Sequence, residues 1–465
     1  MLFSSLTFLF VFLPVVLLGY YILPFKLKNI WLLLSSLFFY FYGEPKYLIL
    51  MIAVITVSYV FGLITEKLSG TARKIALAVS VLTTLSALIF FKYTDFFIST
   101  VNTAFGTEFD LLKIALPIGI SFFTFQAISY NIDVYRGDVP SQKNPLNLAL
   151  YISLFPQLVA GPIVRYSDIE RDLRERTHSL ESFTLGVRRF AIGLAKKILL
   201  ANTLGSLCEI FRETDEKSTL FFWLYAVAYS LQVYFDFSGY SDMAIGLGSM
   251  FGFKFMENFR HPYVSRSVTE FWRRWHISLG SWFRDYVYIP MGGNRVKKPR
   301  FILNILTVWF LTGFWHGADW TFIIWGLYFA VLLLIEKFIP AKIKDKSPAV
   351  ISHIYLIFVV LVGFVIFNGS GVEGVVSDLR GMFTAAYPLC TDITLYYLRS
   401  YAVLFVIGII GATPAAKICV QKLSETKIGS KIISAAEPVF VACVMIAVTA
   451  YLIDGSYNPF LYFRF

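Results

Sequence analysis

Residues 309–325, WFLTGFWHGADWTFIIW, set one imidazole, His316, inside an otherwise apolar and aromatic run. A neutral, buried imidazole suits general-base work near neutral pH. The alternative reading is a satisfied core histidine that only packs. Arg295, Lys297, Lys298 and Arg300 mark a membrane surface just before residue 301. Roughly sixteen residues of helix then carry His316 about 24 Å into a hydrocarbon layer roughly 30 Å thick. Gly313 and Gly317 flank the ring and are expected to strip side chains from around it. Asp319, at i+3, reaches the ring if the helix continues past it.

A second histidine sits in SRSVTEFWRRWHISLGSWFRDYVYIPMGGNR, residues 265–295. Ser267 and Glu270 have capping-box spacing, and Pro290 with Gly292–Gly293 ends the pattern, so one amphipathic helix is predicted between them. Trp272, Trp275, Leu279, Trp282, Phe283 and Tyr286 fall on one stripe of that helix. Arg273, Gly280 and Arg284 fall on a neighbouring face, with His276 on the border. The helix is expected at the inner interface, with Trp and Tyr at headgroup level and arginines on phosphates. The same face can hold an anionic donor at the mouth of a cavity, which makes Arg273, Arg274 and Arg284 candidate donor-binding residues. Asp236 and Asp242 lie among aromatics and glycines in LQVYFDFSGYSDMAIGLGSM. Intramembrane carboxylates are costly and point to function by default; the alternative is pairing with nearby arginines. No metal site is indicated, because the five histidines show no ligand spacing and the four cysteines form no CxxC pair.

The elements that position these residues follow from composition. Of 465 residues, 57% are hydrophobic and only 15% charged, well below the roughly 25% charged of soluble domains. Apolar runs long enough to span a bilayer include 2–23, 47–65, 75–97, 351–368, 401–418 and 438–453. The first lacks a basic n-region and a cleavage site, so it reads as a retained span. The predicted class is an all-α polytopic membrane protein with no soluble domain. The 41 basic against 30 acidic residues read as positive-inside anchoring, not nucleic-acid binding. Basic residues at 66–74, 341–349 and 420–431 mark inner loops, and 369–398 and both termini read as outer. The segment 146–163 would carry the chain outward, yet basic residues follow it directly. Pro156, Gly161 and Pro162 also interrupt it, so a re-entrant hairpin covering an internal cavity is predicted. One membrane domain is expected, with N-terminal spans in 1–110, a core carrying the motifs in 111–340, and C-terminal spans and tail in 341–465.

Several stretches resemble the membrane-bound O-acyltransferase (MBOAT) superfamily, in its bacterial polysaccharide branch, which includes the membrane subunits of alginate O-acetylation. They are GEPKYLIL at 43–50, FPQLVAGPIVRY at 155–166, YFDFSGYSDMAIGLG at 234–248, the long motif at 257–295, GFWHGADW at 313–320 and NPFLYFRF at 458–465. The resemblance implies about 11 transmembrane helices plus re-entrant and interfacial helices around a central cavity or tunnel. It puts the family's catalytic histidine on His316 and its second characteristic polar position on His276. Asp236 and Asn258, in the same motifs, join the arginines as candidate donor-binding residues. The implied reaction takes an acyl group, in this branch acetyl, from a cytoplasmic thioester, with no permanently bound cofactor. The acceptor is a hydroxyl of an extracytoplasmic polymer, or a secreted or membrane-anchored partner protein that relays the group. D-alanyl transfer to teichoic acid is a more distant relative's reaction. A transporter using the same cavity for passage is the reading from another class. The implied location is the bacterial inner membrane.

Overall fold

The computed structural model describes residues 1–340 and 348–454. The predicted inner-loop lysines Lys342, Lys344 and Lys346 and the motif at 458–465 lie outside the described residues. No strand occurs among the described residues; backbone polar groups in lipid must bond within their own segment, which favours helices. Eight helices among the described residues are long and apolar enough to cross a membrane, against about eleven expected. Phe8–Ile22 is apolar but shorter than the predicted 2–23 span. Phe25–Gly43 and Lys298–His316 have 19 residues each, which at 1.5 Å per residue gives about 28 Å. Polar residues such as Lys26, Lys28, Arg300 and Asn304 dilute their apolar character.

The chain gathers into two compact units, Met1–Phe190 with Ser241–Glu257, and Ala191–Tyr240 with Asn258–Phe465. In the first unit, 146–163 forms no continuous helix. Pro145–Ser153 is capped by the Asn144 side chain, the chain bends at Leu154, and Phe155–Leu158 follows. The irregular backbone beyond it is buried by protein, as membrane-depth loops require. Phe155 N donates to Ser36 Oγ at 3.1 Å. Gly119, at φ +75°, lets the backbone approach so closely that a Cβ there would lie 2.6 Å from the Leu158 carbonyl. Asp242 takes the structural alternative left open by the sequence: Arg189 donates to it at 2.9 Å and to Glu257 at 2.6 Å.

The helix Thr219–Met250, which belongs to the second unit only as far as Tyr240, has 83% of its apolar window buried, whereas Lys427–Ile453 has 11%. So apolar a surface left open by protein requires lipid against it. The predicted span 401–418 divides into Asp392–Gly411 and Ala415–Ser424, and Lys427 already begins the next helix. The single amphipathic helix predicted across 267–290 is also broken. Val268–Arg274 stops, His276 adopts φ 45° and ψ 52°, and Ile277–Phe283 restarts. Its tryptophan stripe faces protein instead of headgroups: Trp272 packs on Trp309, Trp325 and Phe329 at centroid distances of 4.8, 5.5 and 4.9 Å.

The start of Val268–Arg274 is capped twice. Ser267 Oγ accepts from Glu270 N at 3.0 Å, the half of the capping box legible in sequence. The buried Glu336 carboxylate accepts from Val268 N at 2.6 Å and from Thr269 N at 2.9 Å. Its Oε2 also accepts from Thr269 Oγ1 at 2.8 Å. An acidic group on the positive end of a helix is favourable, and both oxygens are engaged. Glu336→Gln keeps the volume but leaves one acceptor oxygen. It is expected to cost about 1–3 kcal/mol, seen as a lowered melting temperature in detergent.

Candidate active site

His316 is the last residue of the helix Lys298–His316, because Gly317 is extended and ends it. Asp319 therefore does not reach the ring along a continuing helix. Its side chain accepts from Thr321 N at 2.8 Å and caps Trp320–Phe338. Nor do the flanking glycines clear space around His316. A Cβ on Gly313 would lie 2.2 Å from the Phe322 carbonyl, and one on Gly317 would lie 2.1 Å from the Phe322 ring. The glycines let two helices touch, and that contact pushes aromatic rings against the imidazole. Trp315, Trp325 and Phe367 meet it edge to face at centroid distances of 5.1, 5.1 and 5.3 Å. His316 is 8% exposed.

The turn at Trp275–His276 aims the second imidazole into the same space. A non-glycine residue at positive φ costs about 1–3 kcal/mol and persists where its surroundings hold it. Asn258 supplies that hold. Its carbonyl accepts from Ile277 N at 3.0 Å. Its Oδ1 accepts from Ser278 N at 3.1 Å and Ser278 Oγ at 2.9 Å. Arg260 N donates to the Arg274 carbonyl at 2.9 Å. His276 is 3% exposed, and neither ring nitrogen has a hydrogen-bond partner among the described residues. Burial pushes its pKa well below the usual histidine range, so it is neutral. Phe237 lies 5.5 Å and Trp315 6.1 Å from it, ring to ring.

His276 and His316 line one cavity of about 20 Å³, walled by Val233, Phe237, Trp275, Trp325, Phe364 and Phe367. That volume admits about one water-sized group, so the walls must move for anything larger. The Phe364 and Phe367 wall is held from behind. Arg212 donates to the Asn368 carbonyl at 3.1 Å, to Tyr225 Oη at 2.6 Å and to Asp378 at 2.9 Å.

The other candidates stand apart from this cavity lining. Asp236 is buried and paired with the buried Lys197 at 2.5 Å. Asn258 is buried, with its side chain engaged by the turn. Arg274 pairs with Glu270 at 2.8 Å and Arg284 with Asp285 at 2.6 Å, while Arg273 is exposed. Sequence reasoning missed Phe367, Trp325, Lys197 and Glu336. They lie 9 to 68 positions from the residues they meet, and only Trp325 and Phe367 lay in runs already singled out.

A multi-pass helical membrane protein with two buried imidazoles in one small apolar cavity is suited to proton transfer away from bulk water. The sequence profile of the MBOAT, membrane-bound O-acyltransferase, family matches residues 139–377, and the chain belongs to that family. A protein named probable alginate O-acetylase AlgI, from Azotobacter vinelandii, is 39% identical over the whole of both chains. A peptidoglycan O-acetyltransferase of Helicobacter pylori is 33% identical over 100% of this chain and 98% of its own. A teichoic acid D-alanyltransferase of Bacillus subtilis is 30% identical over 54% of this chain and 68% of its own. The protein is thus an O-acyltransferase, and the reading of the cavity as a transporter's passage is set aside.

Proposed function

We propose that the protein moves an acetyl group from a thioester on the inner face of a bacterial cell membrane to hydroxyls of an extracytoplasmic polysaccharide or cell-wall polymer. The donor is acetyl-CoA or an acylated carrier protein. The final transfer is direct, or passes through a secreted or membrane-anchored relay protein. The observation that carries this reading is the pair His276 and His316 in one apolar cavity. Acetyl transfer is also the activity in the names of the two full-length relatives.

His316 takes the proton of the acceptor hydroxyl as its oxygen attacks the thioester carbonyl. The tetrahedral intermediate collapses with breakage of the C–S bond. The imidazolium returns its proton to the leaving thiolate, giving an ester and a free thiol. His276, neutral and unpartnered, offers one N–H to the carbonyl oxygen as charge develops there, where low dielectric strengthens the interaction. The exposed Arg273, with Arg274 and Arg284, attracts the donor's phosphates.

Deleting the gene in its host is expected to remove base-labile acetate from the surface polymer, and a plasmid copy to restore it. Loss of ester-linked D-alanine in place of acetate would assign the other acyl group. Unchanged amounts of both would refute the proposal.

A further inference from the structure

The first unit buries an arginine that forms no ion pair among the described residues. Arg176 is 5% exposed. Its Nε donates to Tyr20 Oη at 2.7 Å, and its Nη1 donates to Asn29 Oδ1 at 2.7 Å and to the Asp172 carbonyl at 3.2 Å. Its guanidinium lies 4.5 Å from the centre of the Phe253 ring. Nη2 has no hydrogen-bond partner among the described residues. The nearby Asp172 carboxylate accepts from Lys254 N at 3.0 Å.

Two more basic groups converge on Tyr20. The Lys28 ammonium sits 4.5 Å from the centre of its ring, and His178 Nε2 lies 2.7 Å from its hydroxyl. Tyr20 Oη donates to the Phe251 carbonyl at 2.6 Å, so its lone pairs are left for Arg176 and His178. His178 Nε2 therefore carries a hydrogen. Burial and the neighbouring Lys28 and Arg176 lower the His178 pKa, the effect of crowding like charges. Exposed Lys26 and Lys254 lie beside these residues in sequence.

A buried cation with a free donor is costly unless an anion answers it. A tetrahedral dianion or diester offers several acceptors to a planar guanidinium, an ammonium and an imidazole that takes up a proton on Nδ1 as the anion binds. The geometry points to a phosphate-binding site formed by Arg176, Lys28 and His178, on the face that the lysine and arginine distribution marks as inner. A lipid headgroup and a soluble phosphate share this chemistry. The site takes no part in the acyl transfer proposed above, and its test reads binding alone.

Full-length protein purified in mild detergent is melted against increasing inorganic phosphate, at ionic strength held constant with chloride. It is also melted against short-chain phosphatidylglycerol, with the matching phosphate-free diacylglycerol as reference. Either phosphate-bearing probe is expected to raise the melting temperature saturably, and the one that binds tighter identifies the source. Lys28→Gln and His178→Gln, at partly exposed positions, are expected to weaken the apparent affinity about tenfold each, the value of one charge-assisted contact. No saturable rise with either probe overturns the site. So does a rise whose affinity is the same in both variants.

Discussion

His316→Gln is expected to lower acyl transfer by about 10²–10⁴-fold, the usual contribution of a positioned proton-transfer group, while the protein melts within about 1 kcal/mol of its parent stability. Glutamine fills most of the imidazole's volume between Trp325 and Phe367 and keeps a hydrogen-bonding group, but it cannot take a proton near neutral pH. His316→Ala is a poorer test, because three rings close against the imidazole. Truncation there opens a void and is expected to cost about 2–4 kcal/mol as well as activity. The glycines beside His316 suggest from sequence a ring with little to lose; the structure shows those glycines bringing Phe322 and the next helix into contact. His276→Gln is expected to have the smaller effect, since a hydrogen-bond donor survives. Ester formation on the surface polymer and melting in detergent, measured on the same preparations, separate the two roles. A stable His316→Gln protein with parental activity would remove His316 from the chemistry.

The helix that ends at His316 was legible because it depends on two local signals, a basic run and a largely apolar stretch after it. The helical class was legible for a similar reason: apolar segments of span length need only counting. The kink at His276 was not. Residues 267–290 contain no proline before Pro290, and the stripe of tryptophans fits a continuous helix as well as a broken one. What breaks it is Asn258, about twenty positions upstream, whose carbonyl and side chain take the amides of Ile277 and Ser278. Glu336 caps a helix that starts 68 residues before it, so no local capping rule finds it. The direction of the tryptophan stripe failed likewise. An apolar face looks the same in sequence whether lipid or Trp309, Trp325 and Phe329 cover it.

The Asp236–Lys197 pair tests whether that carboxylate serves the fold or the donor. Both side chains are within 3% of fully buried, with Nζ 2.5 Å from Oδ1. Two charges placed so deep cost much of what their attraction returns, and the penalty falls hardest when one partner is removed. Asp236→Asn is expected to destabilise the protein by about 3–5 kcal/mol, because it strands the Lys197 charge. Lys197→Met is expected to do the same by stranding Asp236. The double variant Asp236→Asn, Lys197→Met carries no buried charge and is expected to recover most of that loss, giving strong non-additivity in a melting cycle. Its activity then decides the role. Asp236 shares its helix with Val233 and Phe237, which wall the cavity of the two histidines, so a pair that only fixes this helix predicts near-parental transfer once stability returns. A stable double variant whose demand for donor rises tenfold or more would instead place Asp236 in donor binding.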